Sequence, residues 1–209
     1  MDAYQSLVHT LALTMGVAWA SGINLYAAIA VLGIAGSTGH VHLPDTLAIV
    51  EDPLVIIAAC FMYCVEFFAD KVPAVDSTWD ALHTFIRIPA GAMLAAGAVG
   101  DTSPALVVAA GIVGGGISAA THATKAGTRM LINTSPEPFS NWFASIAEDI
   151  AVFTGLWAAL AHPVIFLVLL TLFLLSLCWL LPRIWRGLRL VARKLVALFG
   201  RRPERPSTV

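Results

Sequence analysis

The sequence predicts an all-α integral membrane protein, on the grounds of its composition, its apolar runs and its charge distribution. Of the 209 residues, 58% are hydrophobic and 12% are charged, and the mean hydropathy is +0.83. Soluble domains carry about twice that fraction of charged residues. A helix that crosses a bilayer needs roughly 20 apolar residues. We predict six transmembrane helices, in the runs 7–35, 46–69, 84–100, 104–124, 142–161 and 163–182.

Basic residues are distributed very unevenly along the chain. No Lys or Arg occurs in the first 70 residues, and eight of the twelve lie between Arg183 and Arg205. Of the connections between predicted helices, only alternate ones have basic residues in or beside them. Because Lys and Arg are enriched in cytoplasmic loops, six helices would place both termini in the cytoplasm.

Glycine and polar residues interrupt the first and the fourth predicted helices. The first contains Ser21-Gly22-Ile23-Asn24 and the fourth contains Gly115-Gly116-Ile117-Ser118. Such segments indicate either close helix packing or an unwound backbone that lines a cavity. An acidic pair follows in each half of the chain, and we therefore predict two inverted three-helix repeats, 1–102 and 103–182. Small secondary transporters often have this architecture, with the binding site at the repeat interface.

The repeat predicts a central site built from the two acidic pairs and the helix interruptions. The predicted substrate-binding residues are Asn24, Glu51, Asp52, Ser118, Glu148 and Asp149. Four carboxylates at one site would repel each other unless they shared protons or bound a cation. Divalent cations prefer oxygen ligands, so Glu51, Asp52, Glu148 and Asp149 are the predicted metal ligands. In the alternative interpretation each acid caps a helix or pairs with a basic residue.

A second group of polar residues follows helical spacing near the predicted cytoplasmic side. Ionisable residues at or inside a bilayer are costly, which makes them candidates for function. We assign these residues to the transport pathway or to gating: Glu66, Asp70, Lys71, Asp76, Asp80, His83, Arg87, Lys125, Arg129, Asn133 and Asn141.

The C-terminal stretch 183–209 alternates basic and apolar residues. A basic amphipathic helix of this kind binds the surface of anionic lipid. Since it directly follows a predicted transmembrane helix, we expect the bilayer and its anionic lipids as partners, and no nucleic acid. The sequence leaves self-association into a homo-oligomer open, and it predicts no cofactor apart from a transported divalent cation.

Five stretches of the chain resemble a bacterial integral-membrane family known as domain of unknown function 4126. They are ASGINLY at 20–26, EFFADKVP at 66–73, DSTWD at 76–80, HTFIR at 83–87 and NTSPEPFSN at 133–141. The resemblance covers roughly residues 5–180 and implies a multi-pass protein of the bacterial inner membrane, without implying an activity. A weaker similarity, at Glu66 to Val72, is to cation/proton exchangers with inverted repeats and a Glu-x-Gly-Asp-Lys-Ser/Thr signature. Here the motif has one extra residue, and Ala69 and Val72 replace the glycine and the hydroxyl.

Three functions compete at this level. The first is a secondary transporter that moves a cation, with a divalent metal favoured, and is coupled to protons. The second is a transporter of a phosphate-bearing or other anionic substrate, which would bind the basic residues His83, Arg87, Lys125 and Arg129. The third, a membrane enzyme using Asp76, Asp80 and His83, ranks last because no nucleophile pairing is evident. We therefore expect a transporter, and no enzyme.

Overall fold

Six α-helices and one short 3₁₀ helix form the described part of the chain. The computed structural model describes residues 3–134 and 139–199, and no strand occurs within those ranges. The helices are α1 (Ala3–Ser37), α2 (Pro53–Ala69), α3 (Pro73–Ala98), α4 (Pro104–Ile132), α5 (Phe139–Ala161) and α6 (Pro163–Phe199), and the 3₁₀ helix is Asp45–Glu51.

Proline and a capping side chain set the start of α2 and of α4. The Asp52 carboxylate accepts a hydrogen bond of 2.8 Å from the Leu54 amide, and Ser103 caps α4 in the same way. Proline suits the first helical turn because backbone N–H groups there have no acceptor within the helix, so the absence of an N–H costs no hydrogen bond. Pro53 therefore divides the predicted run 46–69 into a 3₁₀ helix and α2, which are bent by 62°.

Only some of these helices are long and apolar enough to cross a membrane. Four are long and apolar enough to cross a bilayer, and the bent pair that ends with α2 is a fifth candidate. The four are Ala3–Ser37, Pro104–Ile132, Phe139–Ala161 and Pro163–Lys194. Helix α3 lies outside this set because its N-terminal half carries the acidic and basic residues identified above.

Helix α1 is broken at Asn24, whose backbone is extended (φ −146°, ψ 98°). Before the break, α1 runs antiparallel to α5. A Cβ atom placed on Gly16 would lie 3.0 Å from the Ala159 side chain, near the end of α5. Eight residues later the Asn24 side chain donates to Asp149, 3.3 Å away and nearer the start of α5.

After Asn24, α1 returns to the end of the bundle from which it started. Gly33 packs against the 3₁₀ helix, and Thr46 of that helix donates to the carbonyl of Gly97, 2.5 Å away. Gly97 is two residues beyond Ala95, which shares a core cluster with Ala18 from the first half of α1. A straight α1 would instead carry Gly33 about 22 Å past Ala18. The helix is therefore a hairpin with Asn24 at its tip.

The first described turn of α1 and the last described turns of α6 lie at opposite ends of the bundle. Tyr4 lines a cavity with Pro163, where α6 begins. Helix α6 runs parallel to α4 and passes Gly127 with Ile184, so its arginine-rich half lies where α4 ends. We call this the tail end of the bundle. The predicted topology, with both termini in the cytoplasm, counted α1 as one crossing, and the orientation of the termini stays a prediction.

The fourth helix differs from the first. Helix α4 is continuous from Pro104 to Ile132, and its glycines serve close packing. A Cβ atom on Gly115 would lie 3.3 Å from the Ala92 side chain. The predicted interruption is thus present in α1 and absent from α4, so the two proposed repeats begin with different elements.

Helix α6 extends through the basic stretch to Phe199, and the remainder of that predicted tail, 200–209, lies outside the described residues.

Small residues hold the hairpin against α3 and α4. A Cβ atom on Gly22 would lie 2.6 Å from the Ser118 carbonyl oxygen, and one on Gly91 would lie 2.6 Å from the Ser118 hydroxyl. The hydroxyls of Ser21 and Ser118 both donate to the Arg87 carbonyl, each at 3.0 Å. Three helix backbones therefore meet at this level, just above the hairpin tip.

We expect Gly22→Ala to destabilise the protein, because its new methyl group would collide with the α4 backbone. Overpacking of this kind costs about 1–3 kcal/mol. Gly116→Ala is the matched control, since nothing lies within 4 Å of the position its methyl group would occupy. Thermal unfolding in detergent should show a lower Tm for the first variant and an equal or higher Tm for the second. Equal stability of the two variants would contradict the packing described for the hairpin.

The fold-back predicts that the chain ends face opposite sides of the membrane. An epitope tag at the N-terminus and another at the C-terminus should differ in accessibility in sealed inverted vesicles, with only the C-terminal tag exposed. Permeabilised vesicles, in which both tags are reached, provide the control. Equal accessibility of the two tags in sealed vesicles would indicate that α1 crosses the bilayer as a straight helix.

Candidate functional site

Seven charged side chains meet between the hairpin tip and the tail end of the bundle. We call them the ion cluster: Glu66, Asp70, Asp80, Arg87, Lys125, Arg129 and Glu148. Six of these side chains are at most 4% exposed, and Glu148 is 21% exposed. Buried charges are costly unless they are paired and hydrogen-bonded, so their pairing determines whether this arrangement can persist.

Arg87 joins three helices at the deepest point of the cluster. Its guanidinium forms an ion pair with Glu66 of α2 and a second one with Asp80 of α3, at 3.1 Å. The same group contacts His122 of α4 at 3.3 Å. The His122 ring in turn contacts the Thr84 hydroxyl at 2.8 Å, so a hydrogen-bonded side chain supports the arginine.

Lys125 lies at the centre of the cluster. Its ammonium donates to Glu66 at 3.2 Å and to Asp70 at 3.1 Å. It also lies 3.8 Å from Asp80 and 3.6 Å from Glu148. One ammonium group therefore interacts with carboxylates from α2, α3 and α5.

The hairpin tip supplies a further oxygen to this ammonium. In an unbroken helix the Ala27 amide would donate to the Ile23 carbonyl, but here it donates to the Asn24 side chain at 3.0 Å. The Ile23 carbonyl is thereby released from the helix and accepts a hydrogen bond from Lys125 at 3.1 Å. The break in α1 and the ion cluster are thus one connected structure.

Arg129 ties the cluster to the tail end. It forms a two-pronged pair with Glu148, at 3.1 and 2.8 Å, and donates to the Asn141 side chain at 2.6 Å and to that residue's carbonyl at 2.9 Å. It also pairs with Asp70 at 3.3 Å. This arrangement fastens the end of α4 to α2 and to the first turns of α5.

The remaining predicted pathway residues surround the cluster. Asp76 accepts from Asn133 at 2.7 Å, and Lys71 donates to Ser145 at 3.4 Å. His83 bonds to the Tyr26 hydroxyl, 3.0 Å away, at the start of the second half of α1. The sequence thus identified residues that the fold does bring together.

Two contributors were missed at the level of sequence, His122 and Thr84. A signal for the first was present, because His122, Lys125 and Arg129 share one helix face at spacings of three and four. Thr84 gave no such signal, since a threonine hydroxyl in a helix usually bonds within its own helix.

Negative charge exceeds positive charge in this region. The carboxylates are the four of the cluster together with Asp76 and Asp149, which are also buried. Three of the basic residues belong to the cluster, and the fourth is Lys71 at its edge. Within the described ranges, Glu66, Asp80 and Asp149 each retain a buried carboxylate oxygen without a hydrogen-bond partner. The region therefore contains acceptors that its own donors do not satisfy.

The structure does not bring Glu51 and Asp52 to this site. Asp52 is exposed and caps α2, and Glu51 packs against Gly36 near the other end of the bundle. Glu66 follows Asp52 by fourteen residues, about 21 Å along a helix. The predicted meeting of the two acidic pairs thus fails because Pro53 opens α2 and leaves its acidic neighbours at the helix mouth.

The predicted metal ligands are not assembled either. Across residues 3–134 and 139–199, no group of three or more His, Cys, Asp or Glu side chains is positioned to hold a metal ion. Ser118, predicted to bind substrate, donates to the Arg87 carbonyl at 3.0 Å. The carboxylates that do converge already interact with arginine and lysine.

We expect Arg87→Met to destabilise the protein strongly, because it leaves the buried carboxylates of Glu66 and Asp80 with Lys125 as their shared basic partner. Removing one partner of a buried pair costs about 3–5 kcal/mol. The double variant Glu66→Gln/Arg87→Met should lose less than the two single losses combined, with a coupling of about 0.5–3 kcal/mol. Unfolding in mixed micelles measures these effects, and Arg186→Met, on the exposed face of α6, is the control. Stability of Arg87→Met equal to that of the control would contradict the pairing scheme.

Comparison with known proteins agrees with the resemblance noted in the sequence. No curated protein and no solved structure matches the chain, and nothing found supports the similarity to cation/proton exchangers. One family model, described as "Domain of unknown function (DUF4126)", matches residues 11–183. The match begins within α1, includes α2 to α5 in full and ends within α6, at the first arginine of the basic stretch. The chain therefore belongs to the family of domain of unknown function 4126.

Proposed function

We propose that this protein is a small secondary transporter that moves a cation across the membrane with coupling to protons, through the ion cluster at the tip of the α1 hairpin. The observation that carries the proposal is the excess of buried carboxylates over buried basic groups. Surplus negative charge in a low-dielectric interior must be neutralised, either by protons on the carboxylates or by a bound cation. A site that alternates between those two states exchanges protons for a cation.

The helix break supports this proposal independently. Secondary transporters bind ions at discontinuous helices, where freed carbonyl groups and helix ends face a cavity near the bilayer midplane. Irregular backbone at membrane depth is tolerated only where protein or a water-filled cavity covers it. The Ile23 carbonyl at the hairpin tip is such a freed group, and it accepts a hydrogen bond from Lys125.

We further propose an arrangement in a bacterial inner membrane. The tail end of the bundle faces the cytoplasm, because the arginines of α6 lie there. Helices α2 to α6 then cross the bilayer, and the α1 hairpin enters from the opposite side. The basic half of α6 lies against anionic lipid at the cytoplasmic surface. In this arrangement the ion cluster opens toward the cytoplasm through Glu148, its most exposed member.

Transport of an anion has less support from the geometry. The basic residues that would bind phosphate or a carboxylate are already paired with acids, since Arg87 pairs with Glu66 and Arg129 pairs with Glu148. An enzyme built on Asp76, Asp80 and His83 has less support too, because these side chains bond to three different partners. Divalent selectivity stays a prediction from the sequence, and the transport experiment should compare divalent with monovalent cations.

Flux in proteoliposomes tests the proposal. A pH gradient should drive cation uptake by the wild-type protein, and Glu66→Gln and Asp149→Asn should each reduce this uptake by roughly tenfold or more. A charge-assisted hydrogen bond contributes about 1.5–3 kcal/mol, which corresponds to that factor. Asp52→Asn is the matched control, because it neutralises an exposed acid outside the cluster and should leave flux within about twofold of wild type.

Two outcomes would contradict the proposal. One is pH-driven flux that persists in both cluster variants, which would place the proton site elsewhere. The other is uptake of phosphate or an organic anion that survives Glu66→Gln and is abolished by Arg129→Gln, which would favour the anion transporter. Circular dichroism of each reconstituted variant establishes that lost flux does not reflect lost folding.

A further inference from the structure

We propose that the Lys125 ammonium is a tethered occupant of a monovalent-cation site, and that the transported ion is a monovalent cation of about the size of ammonium, which takes its place. This inference rests on the proposed function and specifies its substrate class. The geometry around the ammonium nitrogen carries it.

The ammonium lies in a cage of five oxygen atoms. Three are within hydrogen-bond distance: the Ile23 carbonyl at 3.1 Å, Glu66 at 3.2 Å and Asp70 at 3.1 Å. Asp80 at 3.8 Å and Glu148 at 3.6 Å complete the set. An ammonium group donates only three hydrogen bonds, so the cage offers more oxygens than a lysine can satisfy.

Two further features point to an ion: Glu66 and Asp80 of the cage each retain a buried carboxylate oxygen without a hydrogen-bond partner in the described part of the chain, and the helix break supplies a free carbonyl. Asn24 caps the second half of α1 and takes the Ala27 amide, which leaves the Ile23 carbonyl directed at the ammonium. Holding Asn24 in an extended conformation inside a helix sacrifices regular helical hydrogen bonds. The carboxylates alone could neutralise the lysine charge. The additional carbonyl from the broken helix is therefore not needed for ion pairing.

The size and charge of the cage favour a monovalent ion. Its three nearest oxygens lie 3.1–3.2 Å from the nitrogen, whereas calcium and magnesium bind oxygen at about 2.0–2.6 Å. Two buried guanidinium groups adjoin the cage, because Arg87 shares Glu66 with Lys125 and Arg129 shares Asp70. These neighbours would oppose a doubly charged ion. The absence of a metal-binding group among the described residues agrees with this selection.

Lys125 can leave the cage without unfolding its helix. Its charge sits at the end of a flexible four-carbon stem, while Arg129 holds Glu148 through a two-pronged contact and Arg87 bridges Glu66 and Asp80. A cation that enters the cage keeps the charge of the cluster balanced when the displaced Lys125 amine releases its proton, so that one cation enters as one proton leaves. Arrival of the ion and departure of the lysine are then obligatorily linked.

Thermal unfolding of Lys125→Ala in detergent, titrated with ammonium chloride, tests the site. The variant removes the tethered charge and leaves the cage open. Its Tm should rise by about 5–10 °C at a concentration of about 100 times Kd, while choline chloride at equal ionic strength should have no such effect. Wild type should show a smaller ammonium-specific rise in Tm than the variant, because ammonium must there displace the tethered lysine.

A second variant keeps the test decisive if the first does not fold. Glu66→Gln/Lys125→Ala removes one charge of each sign, so the net charge of the cluster stays that of wild type. Its ammonium-specific rise in Tm should be smaller than that of Lys125→Ala. The inference fails if neither variant responds to ammonium more than to choline, or if wild type responds equally. Because unfolding reports binding and not flux, a variant that binds ammonium while wild type transports nothing would refute the proposed transport and leave the site intact.

Discussion

The structure depends on the hydrogen bond that Asn24 makes to its own helix. By capping the second half of α1, this side chain makes a reversal possible in the middle of an apolar segment, and it frees one carbonyl group for Lys125. The reversal in turn brings small residues from both halves of α1 into contact with α3, α4 and α5. The hairpin thus serves as the core of the bundle and as one wall of the ion cluster.

A second constraint is that buried charges must be satisfied within the protein. Helix α3 illustrates it, since its charged half would be unstable in contact with lipid. Arg87 turns inward, where α2 and α4 provide Glu66 and His122. The apolar side chains of the same helix, such as Phe85 and Met93, are exposed on the outer surface. Polarity is therefore inverted relative to a soluble bundle, with charge at the centre and hydrocarbon outside.

Particular residues show what sequence could and could not establish. Apolar runs located the starts of α4, α5 and α6 to within three residues, and helical spacing grouped Arg87, Lys125 and Arg129 among the pathway residues, because both signals are local. The reversal at Asn24 was not predictable, since the same glycine-rich pattern packs as a continuous helix in α4. The individual ion pairs could not be predicted either, because they depend on how helices that are far apart in the sequence pack together. Glu51 and Asp52 were wrongly assigned to the site, because their pair occupies the same place in the order of motifs as the pair Glu148-Asp149. A similar order along the chain does not require the two pairs to be close in space.

The fold-back of α1 also has a consequence for how the protein is made. The hairpin tip is completed by Asp149, which follows Asn24 by 125 residues. During synthesis the Ile23 carbonyl therefore has no partner until Lys125 of α4 has been made, and the Asn24 amide group has none until Asp149 of α5 has been made. Until then these groups need water, another chain segment or a membrane chaperone. We therefore expect the hairpin tip to be completed only after α5 joins the bundle.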